Sequence, residues 1–185
     1  MQALLALSRA IDAMNARLGK AVGWLIFAAV IVSSGNAVVR YIFDTSSNAW
    51  LELQWYLFAG VFLLGSGYTL LNNEHVRIDI IAGRTSARFR AWIDIVGALF
   101  FLLPMAVIIM VLSWPVFMES YDLHEISSDA GGLLRWPAKI LIPVGFCLLA
   151  LQGISELIKR FAFLAGKAKD PLIAEGEHHG EHAAD

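Results

Sequence analysis

The sequence predicts an all-α integral membrane protein with four transmembrane helices, and three observations lead to this fold class. The 185 residues have a mean hydropathy of +0.63 and only 16% charged residues, whereas soluble domains average about 25%. Four apolar stretches reach the roughly 20 residues that a helix needs to cross the hydrocarbon core of a bilayer. The charged residues gather between these stretches rather than within them.

The four predicted spans lie at residues 21–43, 50–71, 93–118 and 137–158, within a transmembrane domain of residues 20–160. The second span contains one charge, Glu52, and the third contains none from Ile95 through Met118. The fourth has Lys139 and Glu156 near its two ends, from which both side chains can reach water. The first stretch is longer than the apolar part of a signal peptide and follows a patterned segment, so we interpret it as an uncleaved span.

Residues 1–19 form a predicted amphipathic helix that lies in the membrane interface. Apolar residues recur there at steps of three and four, with polar residues between them, as on a helix with one face in lipid and one in water. A targeting peptide is the alternative, but the pattern runs directly into the first span. The apolar residues are Leu4, Leu7, Ile11, Met14 and Leu18, and the polar ones are Ser8, Arg9, Asp12, Asn15 and Arg17.

Residues 72–92 form a second predicted interfacial segment. In "NNEHVRIDII" the ionisable residues His75, Arg77 and Asp79 alternate with apolar ones, which suits a chain that lies flat at the membrane surface. An amphipathic helix then follows, with Thr85 or Ser86 as its N-cap.

The 119–136 loop and the carboxyl-terminal tail are polar. The loop is acidic and contains a Gly-Gly pair, which indicates a docking or lid surface rather than a structured domain. Residues 161–185 are predicted to be a disordered cytoplasmic tail, because the segment is polar and is broken by Pro171. Its histidines, His178, His179 and His182, lack a scaffold that holds ligands at set distances, so a solvated tail is favoured over a metal site.

The distribution of basic residues predicts the orientation. By the positive-inside rule, the side of the membrane with most Lys and Arg residues is the cytoplasm. Both termini and the 72–92 segment therefore face the cytoplasm, and the 119–136 loop faces outward. Eleven of the 14 basic residues lie on the cytoplasmic side: Arg9, Arg17, Lys20, Arg77, Arg84, Arg88, Arg90, Lys159, Arg160, Lys167 and Lys169.

Aromatic and basic residues mark the predicted lipid interface. Tryptophan is enriched at headgroup depth, and Trp50, Trp114 and Trp136 fall at the outer boundary. Trp24 and Trp92 fall near the inner boundary. We expect Arg84 and Arg88 to bind anionic headgroups there.

The sequence offers no pattern typical of catalysis, of a metal or cofactor site, or of nucleic-acid binding. None of the five histidines lies in a predicted span, which argues against a haem-binding electron-transfer anchor. Glu52 is the one candidate for an intramembrane proton site, but it lies within a turn of the outer boundary. The single cysteine, Cys147, excludes a disulfide within the chain.

Polar residues at the outer end of the first two spans predict an interface. Asn36 and Arg40 are four residues apart on one helix face, and Glu52 and Trp55 follow across a short turn. Polar side chains in lipid usually contact other helices, so Asn36, Arg40 and Glu52 are candidates for one network there, within the protein or with a partner. Gly60, Gly65 and Gly67 would allow close helix approach.

Three segments resemble the small membrane subunit of tripartite ATP-independent periplasmic (TRAP) transporters, of the dicarboxylate-transporter Q family. They are "NAVVRYIF", "LELQWYLF" and "HVRIDII", in that order. Asn36, Arg40 and Tyr41 resemble the family's motif near the end of helix one, Glu52 its glutamate in helix two, and His75 to Asp79 its loop signature. The resemblance runs from about Trp24 through Arg160.

The resemblance implies a non-catalytic subunit in the bacterial inner membrane. In this family a larger permease subunit carries sodium and the substrate, usually an organic acid, and a soluble periplasmic protein delivers that substrate. The small subunit braces the large one and helps docking, which would make residues 72–81 a cytoplasmic brace. The alternative is a stand-alone four-helix carrier or channel that acts as a homo-oligomer.

The predicted orientation is testable with reporter fusions. We expect green fluorescent protein fused after Asp185 to fluoresce, because it stays in the cytoplasm, whereas alkaline phosphatase should be active when inserted at Asp129. An active phosphatase at the carboxyl terminus would contradict the orientation.

Overall fold

The protein is all-α, as predicted. A computed structural model describes residues 2–45, 47–72 and 86–167. The helices are α1 (Gln2–Phe43), α2 (Asn48–Leu71), α3 (Ala87–Gly97), α4 (Leu103–Asp122), the single turn α5 (Trp136–Lys139) and α6 (Leu141–Leu164). A π-helical turn, Ala98–Leu102, joins α3 to α4, so that residues 87–122 form one continuous rod.

Three helices in the described part of the chain are long and apolar enough to cross a membrane: Gln2–Phe43, Ala87–Asp122 and Trp136–Leu164. These contain the first, third and fourth predicted spans. α2 has 24 residues, a suitable length, but is not among these three. A crossing by α2 therefore stays a prediction.

Helix α6 is the centre of the bundle. It packs against α1, α2, α3, α4 and α5, while α1 packs mainly against α2. Half of the apolar core of the α6 span is buried, compared with 11% in α1 and in the α3–α4 rod. The outer helices consequently keep wide apolar faces that no other described part of the chain covers.

Glycines allow the closest helix contacts. A Cβ atom at Gly145 of α6 would lie 2.7 Å from the backbone oxygen of Leu63, so α2 and α6 meet there backbone to backbone. A Cβ atom at Gly67 would lie 2.6 Å from Oδ1 of Asn15 on α1. These contacts show why small residues occur on the faces that pack together.

The amino-terminal segment differs from the predicted separate interfacial helix. It continues into the first span without a break, and the 42 residues of α1 extend about 63 Å, twice the roughly 30 Å hydrocarbon core. Gly19, near the expected boundary, lies beside the ring of Tyr68 and does not interrupt the helix. The polar residues Ser8 and Asn15 are buried against α6 rather than exposed to water.

Of the second predicted interfacial segment, residues 72–92, the structure describes residue 72 and residues 86–92. The hydroxyl of Ser86 accepts a hydrogen bond from the backbone N–H of Phe89 at 3.4 Å, which makes Ser86 the N-cap of α3. Arg88 and Trp92 lie in α3, which runs on into the rod. His75, Arg77, Asp79 and Arg84 lie outside the described residues, as do residues 168–185 of the predicted tail.

Candidate functional site: two polar clusters at opposite ends of the bundle

A buried polar cluster joins the amino-terminal half of α1 to the carboxyl-terminal half of α6. At its centre is Gln152, which is fully buried. Its amide nitrogen donates to Asp12 at 2.9 Å and to Glu156 at 3.2 Å, and its amide oxygen accepts from Asn15 at 2.8 Å. The members of this α1–α6 cluster are Ser8, Asp12, Asn15, Gln152, Ser155, Glu156 and Lys159.

The remaining contacts of the cluster extend this network along both helices. The hydroxyls of Ser8 and Ser155 lie 2.7 Å apart, and Ser155 also donates to Asp12 at 2.7 Å. Lys159 forms ion pairs with Asp12, at 3.4 Å, and with Glu156. The two carboxylates thus share one ammonium group, which stabilises their charges in a partly buried site.

The sequence contains the pattern of this cluster, although the sequence analysis did not identify it. Gln152, Ser155 and Lys159 recur at helical spacing on one face of α6, and Ser8, Asp12 and Asn15 do so on α1. The α1 residues were interpreted as a water-facing side of an interfacial helix. The sequence indicates this partner through the polar face within the fourth apolar stretch, because a polar face in lipid requires a polar partner.

A further ion pair attaches α3 to the same end of α6. The guanidinium of Arg160 lies 3.3 Å from a carboxylate oxygen of Asp94, and the Arg160 side chain is only 3% exposed. A charged group so deeply buried is stable only when it is paired. Arg160 thus fixes the start of the α3–α4 rod against α6.

At the opposite end of the bundle, residues 125–135 form a short hairpin. Ile126 and Leu134 form an antiparallel bridge, and Ser127 donates its backbone N–H to the carbonyl of Leu133 at 2.9 Å. Arg135 donates its backbone N–H to the carbonyl of Glu125 at 2.8 Å, and Gly131 adopts a positive φ of 74° at the turn. This part of the predicted docking or lid surface is therefore an ordered hairpin, held by its own backbone hydrogen bonds.

The first turns of α2 hold the hairpin in place. The carboxylate of Glu52 accepts from the backbone N–H of Leu133 at 2.6 Å. Asn48 donates to the carbonyl of Ala130 at 3.0 Å, and the hydroxyl of Tyr56 donates to the carbonyl of Leu134 at 3.1 Å. Three side chains on one face of α2 thus bind backbone groups of the hairpin.

Glu125 holds the other side of the hairpin. Its carboxylate pairs with Lys139 of α5 and lies 3.7 Å from Arg135. The hydrogen bond from Lys139 lowers the pKa of Glu125 below its ordinary value. Together, Glu52, Tyr56, Glu125, Ser127, Arg135 and Lys139 are called the hairpin cluster below.

A cavity of about 280 Å³ lies beside the hairpin cluster. Glu52, Arg135 and Lys139 line it, together with Trp55, whose side chain is 73% exposed. Glu125 pairs with both basic groups, and Glu52 accepts from the hairpin backbone. These contacts make the arrangement suitable for holding the hairpin rather than for acid–base chemistry.

The predicted partner-interface residues have different surroundings. Asn36 is half-buried and Arg40 is exposed, and within the described residues neither forms a hydrogen bond or ion pair with Glu52. Glu52 binds the hairpin instead, because Leu133 presents a backbone N–H to its carboxylate. The expected network of Asn36, Arg40 and Glu52 does not form within this chain.

The predicted lipid-interface residues lie mostly on the surface. Trp24, Trp50, Trp92 and Trp114 are exposed, as is Arg88. Trp136 is partly buried, since its ring packs edge-on against Tyr121 at a centroid distance of 5.5 Å. Within the described residues no three His, Cys, Asp or Glu side chains are placed to hold a metal ion.

Residues 29–163 match the family model described as tripartite ATP-independent periplasmic transporters, DctQ component. The chain belongs to the DctQ family. It is thus a membrane component of a TRAP transporter, which is a transporter family rather than an enzyme family. No curated protein and no solved structure matches the chain.

The DctQ match covers the hairpin cluster completely but only one side of the α1–α6 cluster. It includes Gln152, Ser155 and Glu156 on α6. Ser8, Asp12 and Asn15 precede residue 29, where the match begins. The polar contacts of the amino-terminal extension are therefore known from the structure of this chain and not from the family.

The α1–α6 cluster should stabilise the fold measurably. We expect Gln152→Leu to lower the free energy of unfolding by about 1–3 kcal/mol, because it leaves the buried amide nitrogen of Asn15 without its acceptor and removes one of the hydrogen bonds to Asp12. The measurement is the thermal unfolding midpoint in detergent. The control is Gln54→Leu, the same change on α2 at a half-buried side chain; equal shifts for the two variants would contradict the assignment.

The hairpin should loosen in acid. Because the pKa of Glu125 is lowered in the fold, its stabilisation is complete above the ordinary value of 4.5 and is lost as the pH falls through the lower, folded value. A nitroxide on Asp129→Cys, with Cys147→Ser, should become more mobile as the pH falls through this range. Glu125→Gln should already be mobile at neutral pH, and a pH response unchanged by this substitution would contradict the role of Glu125.

Proposed function

We propose that this DctQ-family chain is the small membrane subunit of a sodium-coupled, binding-protein-dependent secondary transporter for organic acids. In this role it holds the large permease subunit in the membrane and helps to dock the periplasmic substrate-binding protein. The family match over residues 29–163 is the observation that carries this proposal. The proposed location is the bacterial inner membrane, with both termini in the cytoplasm.

The wide apolar faces of the outer helices support the scaffolding role. Trp24 and Phe27 on α1, and Phe101 and Leu112 on the α3–α4 rod, are all more than half exposed. In a bilayer such faces contact either lipid or other helices, so they offer a surface for a large multi-span partner. Internal polar contacts hold the helices that present these faces, which favours a rigid support.

The outward end of the bundle supports the docking role. The side chains of Leu123 and Ile126 are 70% and 64% exposed, and the acidic residues Asp122 and Asp129 are exposed beside them. α2, through Glu52, and α5, through Lys139, hold this surface in place. An apolar and acidic surface fixed in this way suits a transient contact with a soluble protein.

Two sets of residues are proposed to contact the large subunit. The first is Asn36, Arg40 and Trp55 at the outer end of α1 and α2, where Arg40 and Trp55 are exposed. Glu52 belongs to this region, but its carboxylate is engaged by the hairpin. The second set is His75, Arg77 and Asp79, proposed from the sequence as a brace in the membrane plane.

The proposal is tested by co-expression with the large subunit. We expect Arg40→Gln and the double variant Arg77→Ala, Asp79→Ala each to reduce co-purification and organic-acid uptake, because each removes charged groups proposed to bind the partner. Arg9→Gln is the matched control, since Arg9 is exposed near the other end of α1.

The alternative, a stand-alone carrier, predicts the opposite result in a transport assay of the chain alone. The purified chain, reconstituted alone in sealed vesicles, should show no uptake of organic acids, and adding the large subunit and the binding protein should restore it. Uptake by the chain alone would overturn the proposed role as a subunit. Co-purification unaffected by Arg40→Gln and by the Arg77→Ala, Asp79→Ala variant would overturn the proposed interface.

A further inference from the structure

A groove of about 480 Å³ opens between the α3–α4 rod and α6. Its walls are apolar over most of their length, including Ile93, Phe101, Met105 and Leu149. At one end it meets the polar residues Asp94, Glu156 and Arg160. The groove thus has a long apolar part and a polar end.

The dimensions of the groove fit a single lipid chain. Along the rod it extends from Ile93 to Met105, about 18 Å, which is close to the roughly 15 Å half-thickness of the hydrocarbon core. Lipid surrounds a transmembrane helix pair on all sides, so an acyl chain from one leaflet is always available to enter this groove.

Arg90 lies on α3 one helical turn before Ile93 and Asp94, which line the polar end of the groove. It is therefore on the same face of α3 as these two residues. Within the described residues, its Nε atom is buried and has no hydrogen-bond partner. Buried donors are nearly always satisfied, and a guanidinium binds phosphate with particular strength, so this donor calls for an anionic acceptor.

We propose that this groove binds one phospholipid, with an acyl chain between the α3–α4 rod and α6 and the phosphate on Arg90. The lipid fills the space beside the π-helical turn and satisfies the Nε donor at headgroup depth. This inference rests on the membrane location of the chain and is independent of its proposed transport role.

Gly97 provides a sharp test because it lines the groove with open space in front of it. A Cβ atom there meets no atom within 4 Å, so a larger side chain can enter the groove without disturbing the helices. We expect Gly97→Leu to occupy the acyl-chain position. Gly97→Ala is the control, because it restricts the backbone at position 97 as Gly97→Leu does but should leave room for the lipid.

The measurement is native mass spectrometry of the full chain titrated with palmitoyl-oleoyl phosphatidylglycerol. We expect a lipid-bound species for the unmodified chain and for Gly97→Ala, and its loss for Gly97→Leu. Arg90→Gln should weaken lipid binding about tenfold, since it removes a charge-assisted hydrogen bond to phosphate. Circular dichroism verifies that each variant keeps its helical content.

Two matched controls separate the groove from general lipid contact. Gly35→Leu places the same side chain at an equally open glycine on α1, and Arg17→Gln removes an exposed arginine of α1, a helix that contributes no residue to the groove. Both should bind lipid like the unmodified chain. Lipid retained by Gly97→Leu, or lost equally from Gly35→Leu, would overturn the proposal.

The remaining occupant of such a groove is a side chain of a partner helix. A benzoylphenylalanine at position 101, at the wall of the groove, should form a lipid adduct under illumination when the chain is bound to its large subunit. A protein–protein adduct in place of the lipid adduct would show that a partner helix, and not a phospholipid, fills the groove.

Discussion

The fold depends on one constraint, the polar face of the central helix α6. In a bundle surrounded by lipid, a buried Gln152 needs several hydrogen bonds, and only protein side chains can supply them. α1 meets this need by extending well beyond the length of a membrane span and bringing Asp12 and Asn15 to the amide. The length of α1 and the central position of α6 follow from this contact. The ion pair between Arg160 and Asp94 extends it to the α3–α4 rod.

The helical class and the places of three apolar spans were predictable, because a bilayer requires long apolar runs. The partners of the polar residues were not. Amphipathic spacing shows that one face of residues 1–19 is polar, but water and a polar protein surface satisfy that face equally well. The structure places Ser8 and Asn15 against α6. The polar spacing of Gln152, Ser155 and Lys159 within an apolar stretch was the available indication of that partner.

Glu52 illustrates a second limit. Its nearest basic residue in the preceding helix is Arg40, so sequence proximity favoured that pair. The carboxylate instead accepts from the backbone of Leu133, 81 residues away. Any residue except proline offers a backbone N–H, so its identity in the sequence gives no sign of such a partner. The hairpin itself gives no clear sign in the sequence for the same reason, since backbone hydrogen bonds hold much of it.

The two polar clusters stabilise opposite ends of the helix bundle. The α1–α6 cluster fixes one end of the bundle, and the hairpin cluster fixes the other, where Glu52, Glu125 and Lys139 connect α2, the hairpin and α5. Between them the outer helices present apolar faces, and shape rather than charge must then decide what binds along most of their length. Charged recognition is left to the ends of the helices, where Arg40 is exposed. A support subunit, as proposed, needs this combination, because it must hold its partner at a fixed depth in the membrane.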